Sequence, residues 1–299
     1  ITNIPEIRDV IKLIEILKDL GLSVSRNQKG SYTFQADKID IDYLKSERFF
    51  SQAASLRGSI MIVGPLLARF GKGIIPQPGG DKIGRRRLDT HFRGFEMLGA
   101  TFHFDAAKSL YEVEAPALTG CYMLLDEASV TGTANLIMAA VMAQGTTTIY
   151  NAACEPYIQQ LCKMLVSMGA KIEGIGSNLL TIKGVVTLKG CEHRLLPDMI
   201  EVGSFIGLAA MTSSDILIKN AGYDQLGIIP ESFRRLGISL NRSGDDIHLV
   251  GVVIPANPTI APAQVRLEDA LSLALERLTR LLIDLSLYAF FIPSEFREG

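Results

Sequence analysis

The chain has 299 residues, 47% of them hydrophobic and 21% charged, which is material for two cored domains rather than one. Its 30 basic and 32 acidic residues leave a net charge of −2, which argues against nucleic acid as a partner. Four cysteines (Cys121, Cys154, Cys162 and Cys191) without C-x-x-C spacing, and four histidines without an i, i+4 pair, argue against a zinc centre and a disulfide framework and fit a reducing, cytoplasmic setting.

No basic segment followed by an apolar run opens the chain, so no signal peptide is expected. The first predicted element is an amphipathic helix over 6–20, followed by strands near 22–26 and 31–36. A nearly all-apolar helix comes next, at Ser59-Ile60-Met61-Ile62-Val63. Residues 72–87 then read as a mobile loop. Gly79, Gly80 and Gly84 soften its backbone, Pro76 and Pro78 keep it out of a helix, and Arg85, Arg86 and Arg87 follow the acid Asp81. A soft loop with a proton carrier beside guanidinium forks suits chemistry on a phosphorylated substrate; a solvated basic turn is the plain alternative.

Further apolar helices are predicted at Asn135-Leu136-Ile137-Met138-Ala139 and Ser204-Phe205-Ile206-Gly207-Leu208, leading into strands at 146–150 and 216–219. A helix apolar on every side is a buried one. Leu20-Gly21, Leu98-Gly99, Met168-Gly169 and Leu236-Gly237 each close an amphipathic run, with glycine as the left-handed cap, and an alternating strand such as 170–174 follows. The chain thus repeats in units of about 70 residues, each a buried helix, strand, outer helix, strand, turn and strand. The expected fold class is α/β, with outer strands packed around central buried helices, because a linear solenoid would leave those helices uncovered. Residues 1–46 read as the tail of a preceding unit.

Residues 266–288 place Leu267, Leu271, Ala274, Leu278, Leu281, Leu285 and Tyr288 at alternating steps of four and three, a helical pattern that wants covering. Glu276, Arg277, Arg280 and Asp284 interrupt the apolar run there, and each would cost about 2.5–3.5 kcal/mol at a bilayer centre, so no membrane span is expected.

Several ordered motifs carry a resemblance. They are Leu56-Arg57-Gly58-Ser59-Ile60 with Gly64-Pro65-Leu66-Leu67-Ala68-Arg69-Phe70-Gly71, then Pro78-Gly79-Gly80-Asp81-Lys82-Ile83-Gly84 with Arg86 and Leu88-Asp89-Thr90-His91. Ala128-Ser129-Val130, Asn151-Ala152-Ala153-Cys154-Glu155-Pro156 and Leu196-Pro197-Asp198-Met199-Ile200-Glu201-Val202-Gly203 follow. With these motifs the chain resembles the enolpyruvyl transferase family over about residues 1–252. The resemblance implies an inside-out α/β barrel in two similar domains. Residues 1–196 would form the lid-bearing domain without its first strands, 197–252 the start of an incomplete second domain, and 253–299 an unmatched helical segment. It also implies transfer of the enolpyruvyl group of phosphoenolpyruvate to the 3-hydroxyl of UDP-N-acetylglucosamine, a step of peptidoglycan precursor synthesis, with no cofactor and no metal. The sister activity on a shikimate phosphate, or a truncated, non-catalytic relative that binds nucleotide sugars, are the alternatives. The loop 78–91 favours the sugar nucleotide. The oligomeric state is not set by the sequence.

By position in those motifs, Asp81 is the implied proton donor and Arg86 faces the phosphate of phosphoenolpyruvate. Arg57 holds anionic groups, Leu88, Asp89 and Thr90 line the uridine side, and Ser129 and Val130 offer hydroxyl and backbone groups to the diphosphate. Plainer roles stand beside these: Arg57 as a helix-surface residue paired with Glu47, Ser129 as the cap of a helix starting near Thr133, Asp89 and His91 as a hydrogen-bonded turn, and Asp198 as a cap. The sequence departs from the family in three places. Asp81 stands where many members carry cysteine, Arg87 where proline is usual, and Glu127 where lysine is usual, so that Glu127 would repel a diphosphate. The family's opening unit, with its lysine–asparagine pair for phosphoenolpyruvate, has no counterpart here, and the chain as it stands is expected to be catalytically incomplete.

Overall fold

A computed structural model describes residues 1–76, 88–106 and 110–250. Asp81, Arg86 and the helical pattern at 266–288 therefore lie outside the described residues. Two units are distinguished, Ile1–Leu195 and the chain from Leu196 onward.

The first unit runs α1 (Arg8–Asp19), β1 (Ser23–Gln28), β2 (Ser31–Gln35), α2 (Glu47–Ala54), a 3-10 segment Arg57–Ile62, α3 (Val63–Phe70), β3 (Lys72–Pro76) and α4 (Asp89–Met97). It continues with β4 (Thr101–Asp105), β5 (Leu110–Glu114), β6 (Tyr122–Leu124), α5 (Val130–Ala140), β7 (Thr146–Tyr150), α6 (Pro156–Ser167), β8 (Lys171–Glu173) and β9 (Leu179–Lys183). The second unit has α7 (Met199–Thr212), β10 (Ile216–Ile218), α8 (Ile229–Arg235), β11 (Asn241–Ser243) and β12 (Asp246–Leu249). The repeat read from the sequence is present. Three times a central helix leads into a strand, an outer helix and a pair of strands, and each time the last strand lies between the other two: β3-β5-β4, β7-β9-β8 and β10-β12-β11. All these pairings are antiparallel, while β6 joins the edge of β7 in parallel. The outer helices α1, α4, α6 and α8 end where expected, with Gly21, Gly99, Gly169 and Gly237 at positive φ, a conformation glycine adopts without a Cβ penalty.

Two expectations need correction. The apolar stretch 59–63 is not an α-helix of its own; a 3-10 turn runs through Arg57–Ile62 and α3 begins only at Val63. Pro65 is the reason. It has no N–H to give, and its ring would clash with the carbonyl of Met61, so one α-helix cannot run from 59 to 70. Within the first turn of α3 the missing donor costs nothing. The loop expected over 72–87 is also too long at its start. Lys72–Pro76 pair in register with Glu114–Leu110, with Ile74 and Ile75 buried, and Pro76 is tolerated because β3 is an edge strand.

The core of the first unit is built around α5, of whose 11 residues Gly132, Thr133, Ala134, Asn135, Leu136, Ile137, Ala139 and Ala140 are buried. Helices α3, α4 and α6 pack against it, and Ile149, Leu180 and Ile182 cover it from the sheet. In the second unit, Val202, Ile206, Ala209 and Ala210 of α7 meet Phe233, Ile247 and Leu249. Ile200, Phe205, Leu208 and Met211 remain 38–59% exposed. The expectation of a helix buried on every side thus holds for α5 and fails for α7, where the described residues amount to a single repeat and cover one side.

Helix α3 approaches α5 so closely that a Cβ on Gly64 would lie 2.4 Å from the Asn135 carbonyl oxygen and 2.6 Å from its Oδ1. Gly64→Ala should therefore force the helices apart and lower stability by about 1–3 kcal/mol. Gly190→Ala, where a Cβ meets open space, should stay within about 0.5 kcal/mol of the parent. Urea unfolding followed by far-ultraviolet circular dichroism reads both; equal midpoints would refute the close-approach argument.

Candidate active site

Helices α4 and α5 begin side by side. Leu88, half-buried, directly precedes α4; Asp89 is its first residue and is exposed; Thr90 is buried. Ser129 caps α5, its Oγ accepting from the Gly132 N–H at 3.2 Å. The capping role weighed for Ser129 is thus present, but the helix starts at Val130 rather than near Thr133, because the extended cap residue and its hydrogen bond let the helical turn begin at once. A Cβ on Gly132 would come within 2.8 Å of Thr90 Cγ2, which shows how near the two helix starts lie. The Thr90 hydroxyl donates to Glu127 Oε1 at 3.1 Å, and Arg93 pairs with Asp126 on the exposed side. The structure therefore brings Leu88, Asp89, Thr90, Ser129 and Val130 together, with Glu127 between them.

Arg57 opens the 3-10 segment, half-buried, and is close enough for its charge to act on His91. His91 is almost fully buried in the first turn of α4. Burial first, and the Arg57 charge second, push its pKa down to about 4. Its Nδ1 lies 3.2 Å from Asn135 Nδ2 and its Nε2 3.3 Å from Thr131 Oγ1. Asp198 caps α7 by accepting from the N–H groups of Ile200 (2.8 Å) and Glu201 (3.4 Å), as weighed from the sequence. Sequence reasoning missed Asn135 and Thr133. Both are fully buried; Asn135 bonds the Gly64 N–H and the Ile60 carbonyl, and Thr133 Oγ1 accepts from Ala153 N at 3.0 Å. The available signal is two polar side chains in the middle of an otherwise apolar helix, which must find internal partners.

Beside these helix starts, Thr90, Arg93, Gly94, Met97, Leu124 and Asp126 line a recess of about 490 Å³ between α4 and β6. Its walls combine an exposed methionine and leucine with an ion pair.

Repeated units with central helices and outer sheets of three or four strands define the enolpyruvyl transferase class of fold. Two solved structures share it. The enolpyruvyl transferase NikO from Streptomyces tendae aligns with a TM-score of 0.68 at 19% identity, covering 83% of this chain and 59% of that one. EPSP synthase from Acinetobacter baumannii aligns with a TM-score of 0.62 at 19% identity, covering 95% and 64%. The chain belongs to the EPSP synthase (3-phosphoshikimate 1-carboxyvinyltransferase) family, whose sequence profile matches residues 1–276. That match extends past residue 252, where the recognisable motifs stop. Among relatives, the UDP-N-acetylglucosamine 1-carboxyvinyltransferase of Bacteroides thetaiotaomicron is 61% identical over 259 residues, 87% of this chain and 58% of that protein. That of Treponema denticola is 47% identical over 242 residues, 81% of this chain and 55% of that protein. The chain spans little more than half the length of these relatives.

The His91 shift has a consequence for stability. Its folded pKa of about 4 lies below the ordinary value of 6.5, so between those values the unfolded chain binds more protons. Stability present above pH 6.5 is then lost as pH falls toward 4, by on the order of 3 kcal/mol from this residue. Burial lowers His193 as well, so the test is a difference. Urea unfolding at several pH values from 7 to 4.5 should show a shallower acid decline in His91→Gln than in the parent. Parallel declines would mean that His91 does not stay neutral in the fold.

Proposed function

We propose that these residues form the sugar-nucleotide-binding, acid-bearing part of an enzyme that transfers the enolpyruvyl group of phosphoenolpyruvate to the 3-hydroxyl of UDP-N-acetylglucosamine, in peptidoglycan precursor synthesis. One observation carries the reading. The segments Leu88–Thr90 and Ser129–Val130, far apart in sequence, start adjacent helices beside Arg57, in a chain 61% identical to a relative named for this substrate. Two helix starts aim backbone N–H groups and positive dipole ends the same way, which suits a diphosphate.

In the proposed reaction the 3-hydroxyl gives its proton to a general base as its oxygen bonds to C2 of phosphoenolpyruvate, while an acid delivers a proton to C3. The adduct then loses phosphate from C2 and a proton from C3, restoring the double bond. Asp81 would deliver the first proton, Arg86 would hold the leaving phosphate, and Arg57 would neutralise substrate anions. Leu88, Asp89 and Thr90 would line the uridine side, with Ser129 and Val130 at the diphosphate. Glu127 accepts the one hydroxyl proton of Thr90, so the nucleotide contact proposed here is made through backbone groups rather than through a cation at position 127. All four cysteines are unbridged, which supports a reducing, cytoplasmic compartment. Among the described residues no single helix is long and apolar enough to cross a membrane.

Titration calorimetry with UDP-N-acetylglucosamine, and with shikimate 3-phosphate as the competing substrate, tests the binding half. Only the nucleotide sugar should give saturable heat, and Arg57→Ala should weaken it by about 1.5–3 kcal/mol for the charged hydrogen bond removed. No binding at millimolar nucleotide sugar by well-folded protein would end the assignment.

The chemical half is tested in a chain extended to the length of the relatives. Asp81→Asn should lower kcat by at least about a hundredfold with little change in nucleotide-sugar affinity, because the amide keeps the shape but has no proton to deliver. Turnover at the parental rate would remove Asp81 from the mechanism.

A further inference from the structure

The amide of Asn135, at the centre of α5, is fully buried and bonds three groups. The Gly64 backbone N–H can only donate, so the amide atom 2.8 Å from it is Oδ1. That orientation turns Nδ2 toward the Ile60 carbonyl oxygen (2.8 Å) and His91 Nδ1 (3.2 Å). Nδ1 must therefore accept. The ring proton then sits on Nε2, which donates to Thr131 Oγ1 at 3.3 Å. One imidazole thus touches α5 at Thr131 and at Asn135, about one turn further on, and through Asn135 it reaches the 3-10 turn that Arg57 opens.

The groups assigned to the nucleotide sugar all sit on these three pieces: Leu88, Asp89 and Thr90 at the start of α4, Ser129 and Val130 at the start of α5, and Arg57 at the start of the turn. Other links between α4 and α5 are of two kinds. Thr90 to Glu127 is half-buried and Arg93 to Asp126 lies in solvent, where such a pair is weak, and both reach the segment before α5 rather than α5 itself. Gly94 against Leu136 is apolar and without direction. Among the described residues, the Asn135–His91 hydrogen bond is a buried, directional link from α4 into α5, joined by the half-buried bond from His91 to Thr131, and in a low-dielectric core such a bond fixes a register that packing alone leaves loose.

We propose that His91 is a positioning residue whose neutral, Nε2-protonated ring holds the starts of α4 and α5 at the spacing that grips the diphosphate of the nucleotide sugar. The identity of the ligand rests on the function proposed above; the ring's tautomer and its coupling of the two helix starts do not.

The test therefore has one arm without ligand and one with it. In nitrogen-15-labelled protein, His91 should show a protonated Nε2 and an unprotonated Nδ1 from pH 8 down to pH 5.5. His91→Phe fills the space but makes neither bond, and it should shift the amide signals of 88–90 and 129–131 together. In calorimetry it should bind UDP-N-acetylglucosamine at least tenfold more weakly, and His91→Asn, which can again accept from Asn135, should recover most of that loss. If His91→Phe does not fold, Thr131→Val removes the Nε2–H acceptor at an exposed position and should shift the 88–90 amides and weaken binding in the same sense. A Nδ1-protonated or charged ring at pH 6, amide shifts confined to α4, or parental affinity in a folded variant lacking these bonds would each overturn the proposal. If the parent protein binds no nucleotide sugar, the functional reading fails together with the ligand half of this one, and the tautomer and amide shifts still decide whether His91 couples the two helices.

Discussion

The structure depends on how closely α5 can be surrounded. A helix at the centre of a domain must accept neighbours on several sides at once, and here the space is made by glycines. Gly64 lets α3 in and Gly94 lets α4 in, each leaving less than 3 Å for any added Cβ. Close approach of backbones exposes polar groups that have no water to turn to, and an unsatisfied buried group costs about 1–3 kcal/mol. Asn135 resolves this for the 3-10 turn and the start of α3 by bonding the Ile60 carbonyl and the Gly64 N–H with one side chain. Replacing it with an apolar residue of similar size would leave both groups stranded. The polar residue at the heart of the core is a requirement of the packing rather than an exception to it.

That requirement explains which parts of the molecule are legible in the sequence. Helix ends are local events. A glycine after the last apolar turn, as at Gly21, Gly99, Gly169 and Gly237, announces itself without any knowledge of neighbours, and so the repeat and the α/β class can be read directly. The strands follow from period-two burial, as in β7, where Thr147 and Ile149 point inward. The 3-10 segment Arg57–Ile62 is less legible because its composition is that of an apolar helix, and only the position of Pro65 distinguishes the two. The start of β3 is masked by the glycines and arginines that follow it. Asn135 is the hardest case. A single amide in an apolar run gives no hint of which distant backbone groups it serves.

The candidate site divides the same way. Residues that bind through their position at a helix start, such as Ser129 and Thr90, sit in motifs that can be recognised, and their geometry is then found. Residues that act by holding those starts together leave no motif, because their partners come from other repeats. His91 lies within a recognisable run, Leu88-Asp89-Thr90-His91, yet its surroundings differ from those of its neighbours. Asp89 is exposed and His91 is nearly fully buried. Residues two apart on a helix lie about 200° from each other around its axis, so Asp89 and His91 face opposite ways, and closeness in sequence says little about shared function there.

Charge at the site follows from where water is. Asp126 and Glu127 bring two carboxylates to the approach of a segment proposed to bind a diphosphate, which would be a strong repulsion in a dry cavity. At this rim both are engaged, Asp126 with the Arg93 guanidinium and Glu127 with the Thr90 hydroxyl, and solvent with its ions screens what remains over about 8–10 Å. The buried side of the same helix start holds a neutral imidazole beside Arg57. A positive charge near a dry, neutral core acts over a longer distance than the same charge among solvated acids. Net composition around a motif is therefore a poor guide to the sign of the potential a ligand meets, because what counts is which charges are already engaged and how dry their surroundings are.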